Sequence, residues 1–265
     1  MISPLPVTAY EINALPEGER EALLSTLVPR RLLERFSVDP ETFRGPGGNR
    51  CVSFTCPEGM PFFQVEFHRT PEDRDAVYFL DVSSTPYGQM EISFVIVNDP
   101  ESGRYDVDVD EGGRDTYFGT ALRNLPEEIR AMRDGLAPGQ VRRGLRAMPD
   151  LVASWEAFFG KLGHRFFFLE PLGYTSAILY ERSGFQYLTG KEGMVRTDRE
   201  FRPGGLLHGR LDGSTPFRMP GQGATVRGRS WAIHDGILDE PWESPKMYKT
   251  IGVNAGVSTF TGEGY

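Results

Sequence analysis

The chain has 265 residues, with 29 Lys and Arg against 37 Asp and Glu and a formal net charge of −8 at pH 7. Its 39% hydrophobic and 25% charged residues are a globular composition, which excludes wholesale disorder and fits one large domain or one domain with appendages. The acid excess argues against nonspecific attachment to nucleic acid or to an anionic membrane, because both are polyanions.

The opening residues carry neither a basic segment nor a long apolar run, so no signal peptide is expected. No stretch approaches the roughly 18 apolar residues of a membrane span, and a cytoplasmic protein is the expectation. Residues 1–45 read as a helical extension. Pro16 suits a first turn, Glu17 and Glu19 favour the positive end of the helix dipole, and Leu23, Leu24 and Leu27 follow at helical spacing. Pro29 interrupts, Leu32, Leu33 and Phe36 resume, and the run Gly45-Pro-Gly-Gly48 marks a boundary. Cys51 and Cys56 fall in a strand-like stretch, too far apart along it to bridge, and are expected as reduced thiols.

Strand patterns come next. Phe63, Val65 and Phe67 alternate with polar residues, and Ala76–Val82 is a further apolar run. Ile92, Phe94 and Ile96 within Glu91–Asn98, and Tyr105, Val107 and Val109 within Arg104–Asp110, predict an antiparallel hairpin. The first half is therefore expected to be a meander. A short helix runs from Leu125 to about Asp134, with Gly135 as its stop. Leu151, Trp155, Phe158, Phe159 and Leu162 form one apolar stripe of a longer helix. Pro149 is tolerable only in that helix's first turn, which places the start near Arg146. Arg165–Leu169 is continuously apolar and predicts a strand buried on both faces. A helix over about Gly173–Ser183 and a strand after Gly184 follow. Residues 202–265 show no sustained period but keep Phe217, Trp231, Trp242, Tyr248 and Phe260, which predicts an ordered irregular wrap, a lid or a dimer arm rather than a disordered tail.

The segment Ala177-Ile-Leu-Tyr-Glu-Arg-Ser-Gly-Phe185 resembles the late helix of the GNAT acyltransferase superfamily, which reads Ala-x-x-x-Tyr-Glu-x-x-Gly-Phe before a strand; Ala177, Tyr180, Glu181, Gly184 and Phe185 stand in register. The resemblance covers roughly Glu91–Tyr187. It implies an α+β fold in which a mixed, mainly antiparallel sheet is flanked by helices. The chain is then expected to have three parts: a GNAT-like core over 46–201, and an N-terminal helical extension over 1–45 and a C-terminal wrap over 202–265 that find no match in the family. It further implies acetyl-CoA or another acyl-CoA as co-substrate, a small-molecule amine as acceptor, and Tyr180 as the acid that protonates the departing thiolate. The coenzyme pyrophosphate would then meet the amides at the start of the long helix, at Arg142, Arg143, Gly144, Leu145, Arg146 and Ala147. The family's phosphate loop reads Arg/Gln-x-x-Gly-x-Gly/Ala. Arg142 and Ala147 fit its ends, while Leu145 takes the inner glycine position and Gly144 sits one place early. The family also passes directly from its fourth strand into this loop, whereas here residues 111–141 intervene.

Read without the resemblance, Tyr180 is equally a packing residue, and Gly184-Phe185 a helix stop followed by a core aromatic. Three arginines at a helix start oppose the dipole, which favours a bound anion, although a solvated basic loop is the alternative. Asp106, Asp108 and Asp110 would share one face of the predicted hairpin arm. Their crowding raises the pKa of at least one, so Asp110 and the neighbouring Glu111 are the candidate bases, with a solvated outer face as the alternative. His68, His164, His208 and His234 match no metal-ligand spacing, and no metal is expected. His164 is expected to cap the long helix; Asp235 stands where it could orient the His234 ring, but a structural histidine is the preferred reading. Arg227 and Arg229 could place two guanidinium groups on one phosphate or carboxylate, with surface anchors tying the wrap to the core as the equal alternative. A GNAT-fold binding protein that has lost the coenzyme site is the second reading, and the aromatic arm suggests a homodimer.

Overall fold

A computed structural model describes residues 6–117, 121–262 and 264–265; Met1–Leu5, in the segment where no signal peptide is expected, lie outside the described residues. The helices are α1 (Ala9–Asn13), α2 (Glu17–Leu24), α3 (Arg30–Arg35), α4 (Leu125–Arg133), α5 (Met148–Lys161), α6 (Tyr174–Arg182), α7 (Lys191–Glu200), α8 (Leu206–Gly209) and α9 (Val226–His234). The strands are β1 (Val52–Thr55), β2 (Phe62–Phe67), β3 (Tyr78–Ser84), β4 (Met90–Val97), β5 (Phe166–Leu169), β6 (Gln186–Tyr187) and β7 (Met247–Thr250). The chain is thus mixed α and β, with a mainly antiparallel sheet. No helix among the described residues is long and apolar enough to cross a membrane. The chain forms two compact units. The first comprises the described residues up to Glu101 with Gly144–Leu169 and Tyr248–Asn254, and the second Ser102–Arg143, Glu170–Met247 and Ala255–Tyr265.

The first unit carries the sheet, in the order β1-β2-β3-β4-β5-β7. β1 to β4 form the expected antiparallel meander. Alternation decides its buried face. Phe63, Val65 and Phe67 of β2 stand opposite Val82, Leu80 and Tyr78 of β3, and all six are fully buried. The stripe of α5 packs on this face: the Phe63 and Phe158 rings lie 5.9 Å apart, and Trp155 Nε1 donates to Tyr78 Oη at 3.1 Å. Tyr78 in turn donates to the Leu27 carbonyl at 3.2 Å, which ties in the turn Ser25–Leu27. Pro149 lies in the first turn of α5 as required, and the helix starts at Met148. Cys51 and Cys56 are free thiols. α1 is an addition to the expected elements. Its signal, Thr8 three residues before Glu11, is a capping box in which Thr8 Oγ1 accepts from Glu11 N and the Glu11 carboxylate accepts from Thr8 N.

The expected hairpin is corrected. β4 pairs with β3 through the turn at Thr85–Gln89, and Arg104–Asp110 is no strand. The alternation there is real but reports burial. Tyr105 and Val107 are 6% and 3% exposed and pack with Ala131, Leu136, Phe217 and Trp231 in the core of the second unit. Extended backbone can present every second side chain to a core without joining a ladder.

The irregular wrap is also corrected, because α8, α9 and β7 all fall within 202–265. α9 escaped detection because Val226 and Gly228–Ile233 are all buried, so its two faces do not differ in polarity. Ala255–Tyr265 is bound within the second unit: Ala255 N donates to Gly184 O at 3.2 Å, and Thr259 and Thr261 bind carboxylates on α6 and α7. Just after β6, Leu188 N and Thr189 N donate to Lys246 O within the second unit.

Candidate functional site

In the first unit β4 and β5 run parallel, but only Glu91↔Phe168 and Ile92↔Leu169 stand in register. β5 then ends, while β4 continues to Val97. On its other side, β4 shifts register between Asp81↔Phe94 and Val82↔Ile92, leaving Ser93 as an extra residue. Such a bulge bends a strand and increases its local twist. β4 therefore bends where the β5 ladder stops, and α5 links the two strands.

The start of α5 is a poorer anion cradle than the arginine-rich sequence implied. Ala147 is its N-cap and supplies no side-chain cap, and Pro149 removes one first-turn N–H. Asp150 already places a carboxylate at the positive end of the dipole, 3.5 Å from Arg31. Leu145 is half-buried, and the exposed Arg146 takes φ 56°, a left-handed conformation uncommon for a side chain with a Cβ. Gly144 meets no such demand, because an added Cβ would lie 3.6 Å from Val97 O, an ordinary contact.

Arg142 and Arg143 lie in the second unit and are used locally. Arg142 Nη1 donates to Ser102 O at 2.6 Å, and Arg143 Nη2 to Asp134 O at 3.2 Å. The Arg143 amide donates to Ser102 Oγ at 3.2 Å. Backbone carbonyls thus occupy donors that the sequence pattern assigned to phosphate.

Tyr180 sits on α6 in the second unit and is 6% exposed. Its hydroxyl has no hydrogen-bond partner among the described residues, and burial pushes the phenol well above its ordinary value. A phenol so placed stays protonated at neutral pH. The rest of the motif has a structural role. Gly184 takes φ 83° just past the helix, Phe185 N donates to Tyr180 O at 3.0 Å, and Gly184 N to Glu181 O at 2.9 Å. That double bond closes a Schellman stop, which needs a residue at positive φ. The fully buried Phe185 packs 5.2 Å from the Tyr180 ring. Glu181, 3% exposed, accepts from Tyr187 Oη and Thr259 Oγ1, each at 2.5 Å, and from Thr259 N at 2.9 Å.

Asp110 and Glu111 are not placed as the expected bases. Asp106, Asp108 and Asp110 do not line one face of a strand. Arg104 bridges Asp106 and Asp108, and Asp110 closes a turn. Asp110 Oδ1 accepts from Arg114 N at 2.8 Å and Gly112 N at 2.9 Å, and Oδ2 from Arg114 Nε at 2.9 Å. The bonds from Arg114 hold the carboxyl below its ordinary range, which is the wrong direction for a base. Glu111 is exposed.

His164 caps α5 as expected, through its backbone: His164 N donates to Phe159 O and Gly163 N to Gly160 O, each at 3.0 Å, while the His164 ring binds the Val7 carbonyl at 2.8 Å. His234 meets Glu128 at 3.1 Å, while Asp235 takes Arg123 and Arg218, each at 2.9 Å, and Thr215. Burial alone would raise the Glu128 carboxyl, but hydrogen bonds from His234 and Arg123 outweigh it and hold it low. Arg227 and Arg229 do not converge, since Arg229 binds Asp198 at 2.7 Å and Arg227 lies over Tyr265. Among the described residues no three His, Cys, Asp or Glu side chains are placed to hold a metal ion.

No protein-family model, curated protein or solved structure matches the chain.

Proposed function

We propose that the chain is an acyl-CoA-dependent N-acyltransferase of the GNAT type, moving an acyl group, most simply acetyl, to a small-molecule amine. The observation that carries this reading is the parting of β4 from β5 after Ile92, followed in the chain by the long helix α5. In such an enzyme the amides of the splayed strand polarise the thioester carbonyl, which is electrostatic stabilisation by fixed donors. Tyr180 is the proton donor toward the thiolate in this reading, its phenol being protonated and without a hydrogen-bond partner among the described residues. No base is assigned, because Asp110 is held ionised by Arg114.

Titration calorimetry of the full chain with acetyl-CoA and with CoA tests the reading. Saturable binding is expected, and no heat at millimolar ligand overturns it. The second reading, a GNAT-fold binding protein without a coenzyme site, is favoured by Arg142 and Arg143 bonding to backbone carbonyls and by Leu145 at the inner glycine position. It predicts the flat titration.

A further inference from the structure

In the second unit two arginines meet on one ring. The guanidinium carbon of Arg182, in the last turn of α6, lies 5.0 Å from the Tyr265 ring centroid, and that of Arg227, in the first turn of α9, lies 4.8 Å from it. Backbone holds the ring there, since Thr225 and Gly264 form a parallel bridge and Val226 N donates to Gly264 O at 3.5 Å. Other arginines of this unit each meet a carboxylate: Arg202 and Arg229 share Asp198, and Arg123 and Arg218 share Asp235. Among the described residues neither Arg182 nor Arg227 pairs with a carboxylate. Arg227 Nε is moreover buried without a hydrogen-bond partner.

A neutral ring attracts a cation but cancels no charge. A buried donor left without an acceptor is costly, and a polar ligand is one of the few things that relieve such a cost. We propose that Arg182 and Arg227 form a binding site for the phosphoryl dianion of a phosphomonoester, with the Tyr265 ring as a cover that the ligand displaces. Two guanidinium forks match the oxygens of a phosphoryl group, and two positive charges match its two negative ones. A carboxylate would neutralise one cation and leave the other. Arg227 also lies in the first turn of α9, whose positive end favours the same anion. Displacing Tyr265 exposes Arg227 Nε to an acceptor. The inference stands apart from acyl transfer and does not depend on it.

Calorimetric titration of the full chain with phenyl phosphate, at ionic strength held constant with sodium chloride, tests the proposal. Saturable binding is expected, with benzoate about tenfold weaker because it carries one charge instead of two. Arg182→Gln and Arg227→Gln should each weaken phenyl phosphate by about tenfold. Neither removes an ion pair, so urea midpoints should fall only slightly, from the lost ring contact, and report intact folding. Tyr265→Ala should tighten binding, because the cover is gone. The proposal is overturned if phenyl phosphate does not saturate at about 10 mM, a concentration that detects even millimolar affinity. It is equally overturned if binding survives both arginine substitutions, or if benzoate matches phenyl phosphate.

Discussion

Replacing Asp198 with asparagine is expected to unfold the second unit under conditions the wild type withstands. The side chain is 1% exposed. Its Oδ1 accepts from Arg229 Nη1 at 2.7 Å and Thr261 N at 3.3 Å, and its Oδ2 from Thr261 Oγ1 at 3.0 Å and from Arg202. Arg229 is 4% exposed, donates also to Gly223 O at 2.8 Å, and lies between Phe201 and Phe260 with no second carboxylate. Charges about 4 Å apart attract by about 4 kcal/mol at an effective dielectric constant near 20. Asparagine keeps the shape but leaves the Arg229 charge buried and unanswered, a loss of about 3–5 kcal/mol. Arg202 is half-exposed, so Arg202→Gln should cost about 1 kcal/mol or less. In urea unfolding followed by tryptophan fluorescence at pH 7, Asp198→Asn should lower the midpoint far more than Arg202→Gln. Burial alone would raise the Asp198 carboxyl, but the bonds from Arg202, Arg229 and Thr261 outweigh it and depress the folded-state value. Its stabilisation is therefore complete above the unfolded-state value of about 3.9 and is lost as pH falls through the lower folded value. The variant should lack that part of the acid limb. A loss under about 1 kcal/mol, below the range for broken buried pairs, or a larger loss in Arg202→Gln, would refute the reasoning.

Three further predictions use other parts of the fold. Trp155→Phe removes the indole donor to Tyr78 and leaves a small void, a cost of about 2–3 kcal/mol; with Tyr78→Phe the losses should be less than additive in a double-mutant cycle, and strict additivity would dismiss the chain Trp155–Tyr78–Leu27. Gly228→Ala would bring a Cβ to 2.3 Å from the Gln222 carbonyl and should cost about 2 kcal/mol or more by thermal unfolding. Gly18→Ala on α2, where nothing lies within 4 Å, should instead stabilise by about 0.5–1 kcal/mol. Tyr180→Phe removes a hydroxyl with no protein partner, so stability should move by less than about 0.5 kcal/mol, while turnover with acetyl-CoA falls and coenzyme affinity holds; unchanged turnover would end its assigned role.

The regular parts of the fold were legible because local pattern and tertiary demand agree there. Phe63, Val65 and Phe67 alternate because one face of β2 is covered, and the α5 stripe repeats because one side of that helix meets the sheet. Pro149 and Gly184 announced a helix start and a helix stop through their own backbone limits. Arg104–Asp110 misled because alternation records which side chains are buried and says nothing of hydrogen-bond partners. α9 was silent because a helix enclosed on most sides has no polar face to set the period. The electrostatic reading failed most at Asp110 and Arg142. A sequence lists charges, but their partners, Arg114 four residues on and the Ser102 carbonyl forty residues back, depend on turns that composition does not specify.

Asp150 offers the sharpest division between the two functional readings. If the α5 terminus receives a pyrophosphate, the ligand must share it with a carboxylate already in the first turn and weakly paired with the exposed Arg31. At a separation of about 7 Å in a water-like medium each pair of like unit charges costs about 0.6 kcal/mol. Two ligand charges then cost about 1 kcal/mol, close to a fivefold loss of affinity before salt screening. Asp150→Asn should therefore tighten acetyl-CoA by about that factor at low salt, with the gain fading at high salt. The cost to folding should be small, since the pair with Arg31 is solvent-exposed and the residue keeps a polar side chain in the first turn. A coenzyme held elsewhere on the chain would bind Asp150→Asn and wild type alike at every salt concentration. That result would remove the α5 terminus from the site even if acetyl-CoA proved to be a ligand.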